Sequence, residues 1–262
     1  MAAVSLGARV KSISRKMSSV PVESVTDLWT CSTEMMGSDM FAGRWSRRHF
    51  IAAALAGGYG LPAAAAAAGT ILVVGDSLSA EYGLKRGTGW VALLEKRLAA
   101  EKIEARVVNA SISGDTTSGG RSRLGALLAQ HKPDVVVIEL GGNDALRGLP
   151  LDMTQDNLAH MTRSAQQAGA RVLLVGMQMP PNYGADYANR FARLYENVAK
   201  AQKAALVPFL LKGVGDAAEP ARFFQADRIH PREEAQPLIL ANVWLELRKL
   251  LGANGRVRAA RP

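Results

Sequence analysis

From Gly69 onward, short aliphatic runs alternate with longer stretches in which apolar residues recur at helical spacing. Ile71-Leu72-Val73-Val74, the β-branched segment Asp134 to Leu140, and Val172 to Val175 carry few polar positions, as strands buried on both faces do. The pattern predicts strands at 70–75, 105–109, 134–140, 171–176 and 206–210. It predicts helices at 89–102, 118–130, 153–168, 186–204 and 234–251, the last with a core stripe of Trp244, Leu247 and Leu251. Strict alternation of strand and helix implies parallel pairing through helical crossovers. The expected fold is α/β: a three-layer αβα sandwich around a five-stranded, mostly parallel sheet, in one domain over 69–252. Right-handed crossovers bring the strand ends to one edge, where open sheets of this kind bind ligands.

The first part of the chain follows another pattern. Residues 1–39 are polar, Ser-rich and without a clear period, and the true start stays open between Met1 and Met40. Arg47-Arg48 is followed by Phe50, a weakly apolar Ala/Gly stretch, Pro62 and an alanine run with Ala-x-Ala sites near Ala66 and Ala68. That arrangement reads as a twin-arginine export signal. Its glycines and Pro62 make a poor membrane span, so the mature form is expected not to cross the bilayer. Residues 1–68 are thus expected to be a disordered leader plus export signal, with the export machinery as a partner of the precursor. Residues 253–262 are expected to form a disordered basic tail, and the mature protein to be periplasmic or secreted.

Composition narrows the function. With 262 residues, 48% of them hydrophobic, the chain can bury a sizeable core. The net charge is +9, about +3 of it before Gly69, and the remainder is scattered. Without a dense basic run interleaved with aromatics, no nucleic-acid partner is expected. Cys31 is the single cysteine, so no intrachain disulfide or thiolate metal cluster can form. His131 and His160 have no companion ligands at metal-binding spacing, and no glycine-rich loop fits a dinucleotide or a P-loop. No metal and no cofactor are expected.

Four polar segments fall where a site should assemble. They are Gly75-Asp76-Ser77-Leu78-Ser79 after the first strand, Asn109 to Thr117 after the second, Gly141-Gly142-Asn143-Asp144 after the third, and Asp227-Arg228-Ile229-His230-Pro231 before the last helix. A serine hydroxyl attacks only when a base removes its proton. His230 is the candidate base, and Asp227, three residues earlier, can reach back to orient it. Pro231 favours extended geometry at His230. The backbone N–H groups of Ser77 and Gly114, with the Asn143 side-chain amide, are candidate oxyanion donors. Asp76, Asp115 and Asp144 read as loop-holding or capping residues. Met179, Pro180, Asn182 and Tyr183, after the fourth strand, suit a flexible apolar acyl site.

Together and in this order, the four segments resemble the GDSL, or SGNH, hydrolase family, from Ile71 to Leu251. Gly114-Asp115-Thr116-Thr117, Pro181-Asn182-Tyr183-Gly184 and His230-Pro231 are similar to its bacterial multifunctional thioesterase, lysophospholipase and arylesterase branch. The resemblance implies a flavodoxin-like SGNH topology. It implies Ser77 as nucleophile, His230 as base, Asp227 as third member, and Ser77, Gly114 and Asn143 as the oxyanion hole. Small-molecule acyl esters or thioesters would be the substrates. A short-acyl carbohydrate esterase is the alternative within the family, and a flavodoxin-like binding module without turnover the alternative outside it. Glu81 departs from the pattern, which has a small residue there; a carboxylate at that point would alter the mouth of the site or repel anionic substrates.

Overall fold

The computed structural model describes residues 69–251. The expected leader at 1–68 and tail at 253–262 lie outside the described residues. Five strands, β1 (Gly69–Gly75), β2 (Ala105–Asn109), β3 (Val135–Glu139), β4 (Arg171–Val175) and β5 (Ala205–Val207), form one sheet in the order β2-β1-β3-β4-β5. Every neighbouring pair is parallel. The helices are α1 (Trp90–Ala100), α2 (Thr117–His131), α3 (Gly142–Leu146), α4 (Leu151–Gln167), α5 (Ala185–Gln202) and α6 (Gln236–Leu250).

The period of two along each strand divides the core. Ile71, Val73, Val135, Val137, Leu173 and Val175 pack with Trp90, Leu94 and Leu98 of α1 and Ile239, Val243 and Leu247 of α6. Their alternates Leu72, Val74, Val136, Ile138, Val172 and Leu174 pack with Leu124 of α2, Leu158 and Met161 of α4, and Phe191, Leu194 and Val198 of α5. Each such side chain, fully removed from water, contributes about 1.5–3 kcal/mol before entropic costs. Two apolar layers therefore clamp the sheet from both sides and leave its edges for other work.

The fifth strand departs from expectation. It ends at Val207 and does not run on to 210. Pro208 has no N–H to give a ladder, and the chain turns there, with Leu210 N–H reaching the Gly176 carbonyl at 2.9 Å. Leu210 and Leu211 still enter the core, which is why they look strand-like in sequence. The last helix opens on a 3-10 turn, Glu233–Ala235, before α6 begins. The one-turn helix α3 was not expected.

Strand order reverses at β1. The chain leaves β1 for β2 on one side, then returns across it to β3 on the other. The crevice beyond the carboxyl ends of β1 and β3 is the switch point where doubly wound sheets bind ligands.

Candidate active site

β1 ends at Gly75, and the chain coils into a run of turns. Asp76 carbonyl accepts from the N–H groups of Ser79 and Ala80 at 3.2 and 2.9 Å. The Asp76 carboxylate accepts from Leu78 N–H at 3.0 Å and from Asn143 Nδ2 at 2.9 Å. Ser77, between them, is half-buried on a turn fixed at both ends.

His230 arrives from the other end of the chain on a pinned loop. Phe224 and Pro231 form an antiparallel bridge, and Gln225 N–H donates to the His230 carbonyl at 2.8 Å. Within the loop, Asp227 Oδ1 accepts from the backbone N–H of Ile229 and of His230 at 2.9 and 3.0 Å. Its Oδ2 lies 2.6 Å from His230 Nδ1, and His230 Nε2 lies 2.9 Å from Ser77 Oγ. The tautomer follows from the partners: a carboxylate only accepts, so Nδ1 carries the proton and Nε2 faces the hydroxyl as an acceptor. What burial Asp227 has pushes its pKa upward. The hydrogen bonds from Ile229 N–H and from the side chain and N–H of His230 outweigh it, and bring Asp227 down to about 2. It is therefore an anion at neutral pH.

Two backbone requirements shape the remaining donors. Gly114 sits at φ +77°, the left-handed region that glycine occupies without strain, and Arg147 Nη2 donates to its carbonyl at 2.9 Å. Gly141 sits at φ +120°, and a Cβ there would meet the Tyr195 hydroxyl at 2.4 Å. That turn starts α3 and brings Asn143 beside Asp76. Asn143 Nδ2 has two hydrogens, and Asp76 takes one. Buried Asp144 accepts from Thr117 N–H at 2.9 Å and from the Thr117 hydroxyl, tying α3 to the start of α2 three residues beyond Gly114. The Gly114 and Asn143 segments are thus fixed to each other.

The Glu81 carboxylate accepts from Gly87 N–H at 3.0 and 3.1 Å and from Gly89 N–H at 2.8 Å, just before α1. Glu81 adopts φ +59°, where a small residue would be at ease, and its loop-holding bonds compensate. Met179 is not an open lining residue; at 8% exposure it belongs to the core on the α4 and α5 face. Pro180, Asn182 and Tyr183 of the same loop are exposed, around a 3-10 turn.

Sequence reasoning missed Tyr82, whose ring stacks on His230 at 4.3 Å between centroids, with Gln225 Nε2 holding its carbonyl at 2.9 Å. Ile112, two residues before Gly114, and Ile229, beside His230, are also exposed. Tyr82, also exposed, is the one of the three seen in contact with the site, through His230. Glu139 was missed as well, although an acid closing a run of Val-Val-Val-Ile is a signal in itself. Among the described residues, no cluster of His, Cys, Asp and Glu is suited to a metal ion.

Known proteins resemble this chain in sequence and in fold. The sequence model of the GDSL-like Lipase/Acylhydrolase family matches residues 73–237. The chain is 58% identical to Esterase TesA of Pseudomonas aeruginosa, over 71% of this chain and 91% of that protein. A crystal structure of TesA superposes with a TM-score of 0.67, over 70% of this chain and 99% of that one. An arylesterase of Vibrio mimicus is 42% identical over 73% of this chain and 94% of its own. The Escherichia coli K12 protein named thioesterase 1/protease 1/lysophospholipase L1 is 43% identical over 67% and 81%.

Proposed function

The chain belongs to the GDSL-like lipase/acylhydrolase family and is a hydrolase acting on ester bonds, and we propose that it cleaves carboxylic esters and thioesters of small to medium acyl chains through an acyl-enzyme on Ser77. The observation that carries this reading is the unbroken chain Asp227–His230–Ser77, with links of 2.6 and 2.9 Å.

Ser77 Oγ attacks the acyl carbonyl while His230 Nε2 takes its proton. The imidazolium that results is stabilised by the Asp227 carboxylate. Negative charge moves to the carbonyl oxygen, where the N–H groups of Ser77 and Gly114 and the amide of Asn143 are the donors. Collapse expels the alkoxide or thiolate, which takes the proton back from His230. A water then repeats the sequence on the acyl-enzyme and frees the carboxylic acid. Exposed Tyr82, Ile112 and Ile229 offer apolar contact to an acyl chain or an aryl leaving group. The names of the relatives, esterase, arylesterase and thioesterase/lysophospholipase, support the substrate class.

The precursor is exported on a twin-arginine signal, and the enzyme works in the periplasm or beyond. Arg47-Arg48, Phe50 and the alanine run support this, and they precede β1, which starts at Gly69. Among the described residues, no helix is long and apolar enough to cross a membrane.

A panel of p-nitrophenyl esters from acetate to palmitate, with palmitoyl-CoA and a lysophospholipid beside it, tests the reading. Wild type is expected to turn over esters, and Ser77→Ala to lose about 10⁴-fold or more in kcat. Turnover retained by Ser77→Ala would contradict it.

A further inference from the structure

β3 closes on an acid that the mechanism above does not use. Glu139 is 1% exposed and follows Val135, Val136, Val137 and Ile138 in a strand buried along its length. Its Oε2 accepts from the Ser79 hydroxyl at 2.8 Å and from Asp76 N–H at 3.3 Å. Its Oε1 receives no hydrogen bond among the described residues. The Asp76 carboxyl, 3% exposed, lies within hydrogen-bonding reach of it.

Two buried carboxylates in contact require a cation or a shared proton. None of the ion pairs among the described residues involves either acid. The surrounding groups are committed elsewhere or favour one charge only. The Tyr195 hydroxyl donates to the Leu140 carbonyl at 3.0 Å, and Asp144 is engaged by Thr117. Leu78 N–H and Asn143 Nδ2 both donate to Asp76, so the negative charge belongs on Asp76. Glu139 has less to hold a charge, and its unvisited Oε1 is the place for a proton.

We propose that Glu139 is a neutral carboxylic acid that donates its proton to Asp76, and that this pair is the positioning device that aims Asn143 and the Ser77 turn. The acid buttresses the turn from below through Ser79 and the Asp76 N–H. The Asp76 carboxylate then holds Asn143 and Leu78 in place with one net charge, not two. Gly75 belongs to the same device, because a Cβ at that position would stand 2.8 Å from both Glu139 Oε2 and Ser79 Oγ. Burial, with Asp76 alongside, pushes the Glu139 carboxyl well above the usual carboxylate range, in keeping with the arrangement.

The inference rests on the ester-hydrolase reading only for its kinetic readout. Glutamine reproduces a neutral acid: its amide N–H donates to Asp76 while its carbonyl accepts from Ser79. Glu139→Gln is therefore expected to keep kcat, per titrated active site, within about threefold of wild type, whereas Glu139→Ala loses about 10²-fold in kcat with KM little changed. An infrared carbonyl band of a protonated carboxyl should persist in wild type at neutral pH and be missing from Glu139→Gln. That measurement stands even if the alanine variant does not fold. Equal damage in Glu139→Gln and Glu139→Ala, full activity in Glu139→Ala, or no such band in wild type would each overturn the proposal. If Ser77→Ala retained turnover, the hydrolase reading would fail, and the infrared band would still decide the protonation of Glu139.

Discussion

A serine hydroxyl near neutral pH is a weak nucleophile until its proton has somewhere to go and the charge it creates has somewhere to rest. In the proposed mechanism, Ser77 has the first through His230 Nε2, 2.9 Å away, and the second through donors that include Asn143. Asn143 donates one N–H to Asp76, and its amide carries a second, which the proposed mechanism gives to the oxyanion. Asn143→Ala should therefore lower kcat by about 10²–10³-fold while leaving KM close to wild type, as measured on a single p-nitrophenyl ester. A loss below about threefold would remove it from that role. At this scale, Ser77, Asp227 and His230, which the structure brings together, stood out as candidates because each carries chemistry in its residue type and stands at a recognisable offset. Tyr82 and Glu139 did not. Tyr82 meets the imidazole only because the turn after Ser77 folds toward a loop some 150 residues away. Glu139 meets Asp76 and Ser79, in the turns just past β1, through the pairing of Gly75 with Glu139, a matter of sheet register.

The elements that matter most are the ends of β1 and β3 and the loop before α6. Side by side, the two strand ends force Asp76 and Glu139 into shared burial, with a consequence for stability. Burial raises Asp76 from 3.8 to about 6, against the opposing pull of Leu78 N–H, His230 and Asn143. Between those two values the folded state holds more protons than the unfolded state, so this group's contribution to stability is present at low pH and is lost as pH rises. The melting temperature of Asp76→Asn relative to wild type should accordingly rise from about pH 4 to about pH 7, and calorimetry across that range measures it. A difference independent of pH would show that Asp76 does not carry the linkage. Among the elements, periodicity revealed the strands and long helices because both faces of the sheet are apolar. It overextended β5 because Leu210 and Leu211 are core residues in a turn, and packing alone looks the same in either conformation. It missed α3 because one turn of helix, Gly142–Leu146, is too short to show a period.

Across the molecule, the order β2-β1-β3-β4-β5 sets Ser77 at the switch point and leaves His230 to be delivered by a loop on the far side of β5 in sequence. The α/β architecture was legible from alternation, and the proposed reacting groups were drawn from four short segments. Their meeting within hydrogen-bonding distance was a matter for the structure. Before this domain stands the Arg47-Arg48 segment. If it directs export, Arg47→Lys with Arg48→Lys should leave the precursor in the cytoplasm on fractionation, and unchanged export would rule out that route. The central claim is that Ser77 is activated by His230. Treatment with a fluorophosphonate followed by mass spectrometry of the digested protein tests it most directly. The predicted result is a single phosphonyl adduct on the peptide carrying Ser77, lost in Ser77→Ala and strongly slowed in His230→Ala. Labelling of equal rate and extent in wild type and both variants would contradict it.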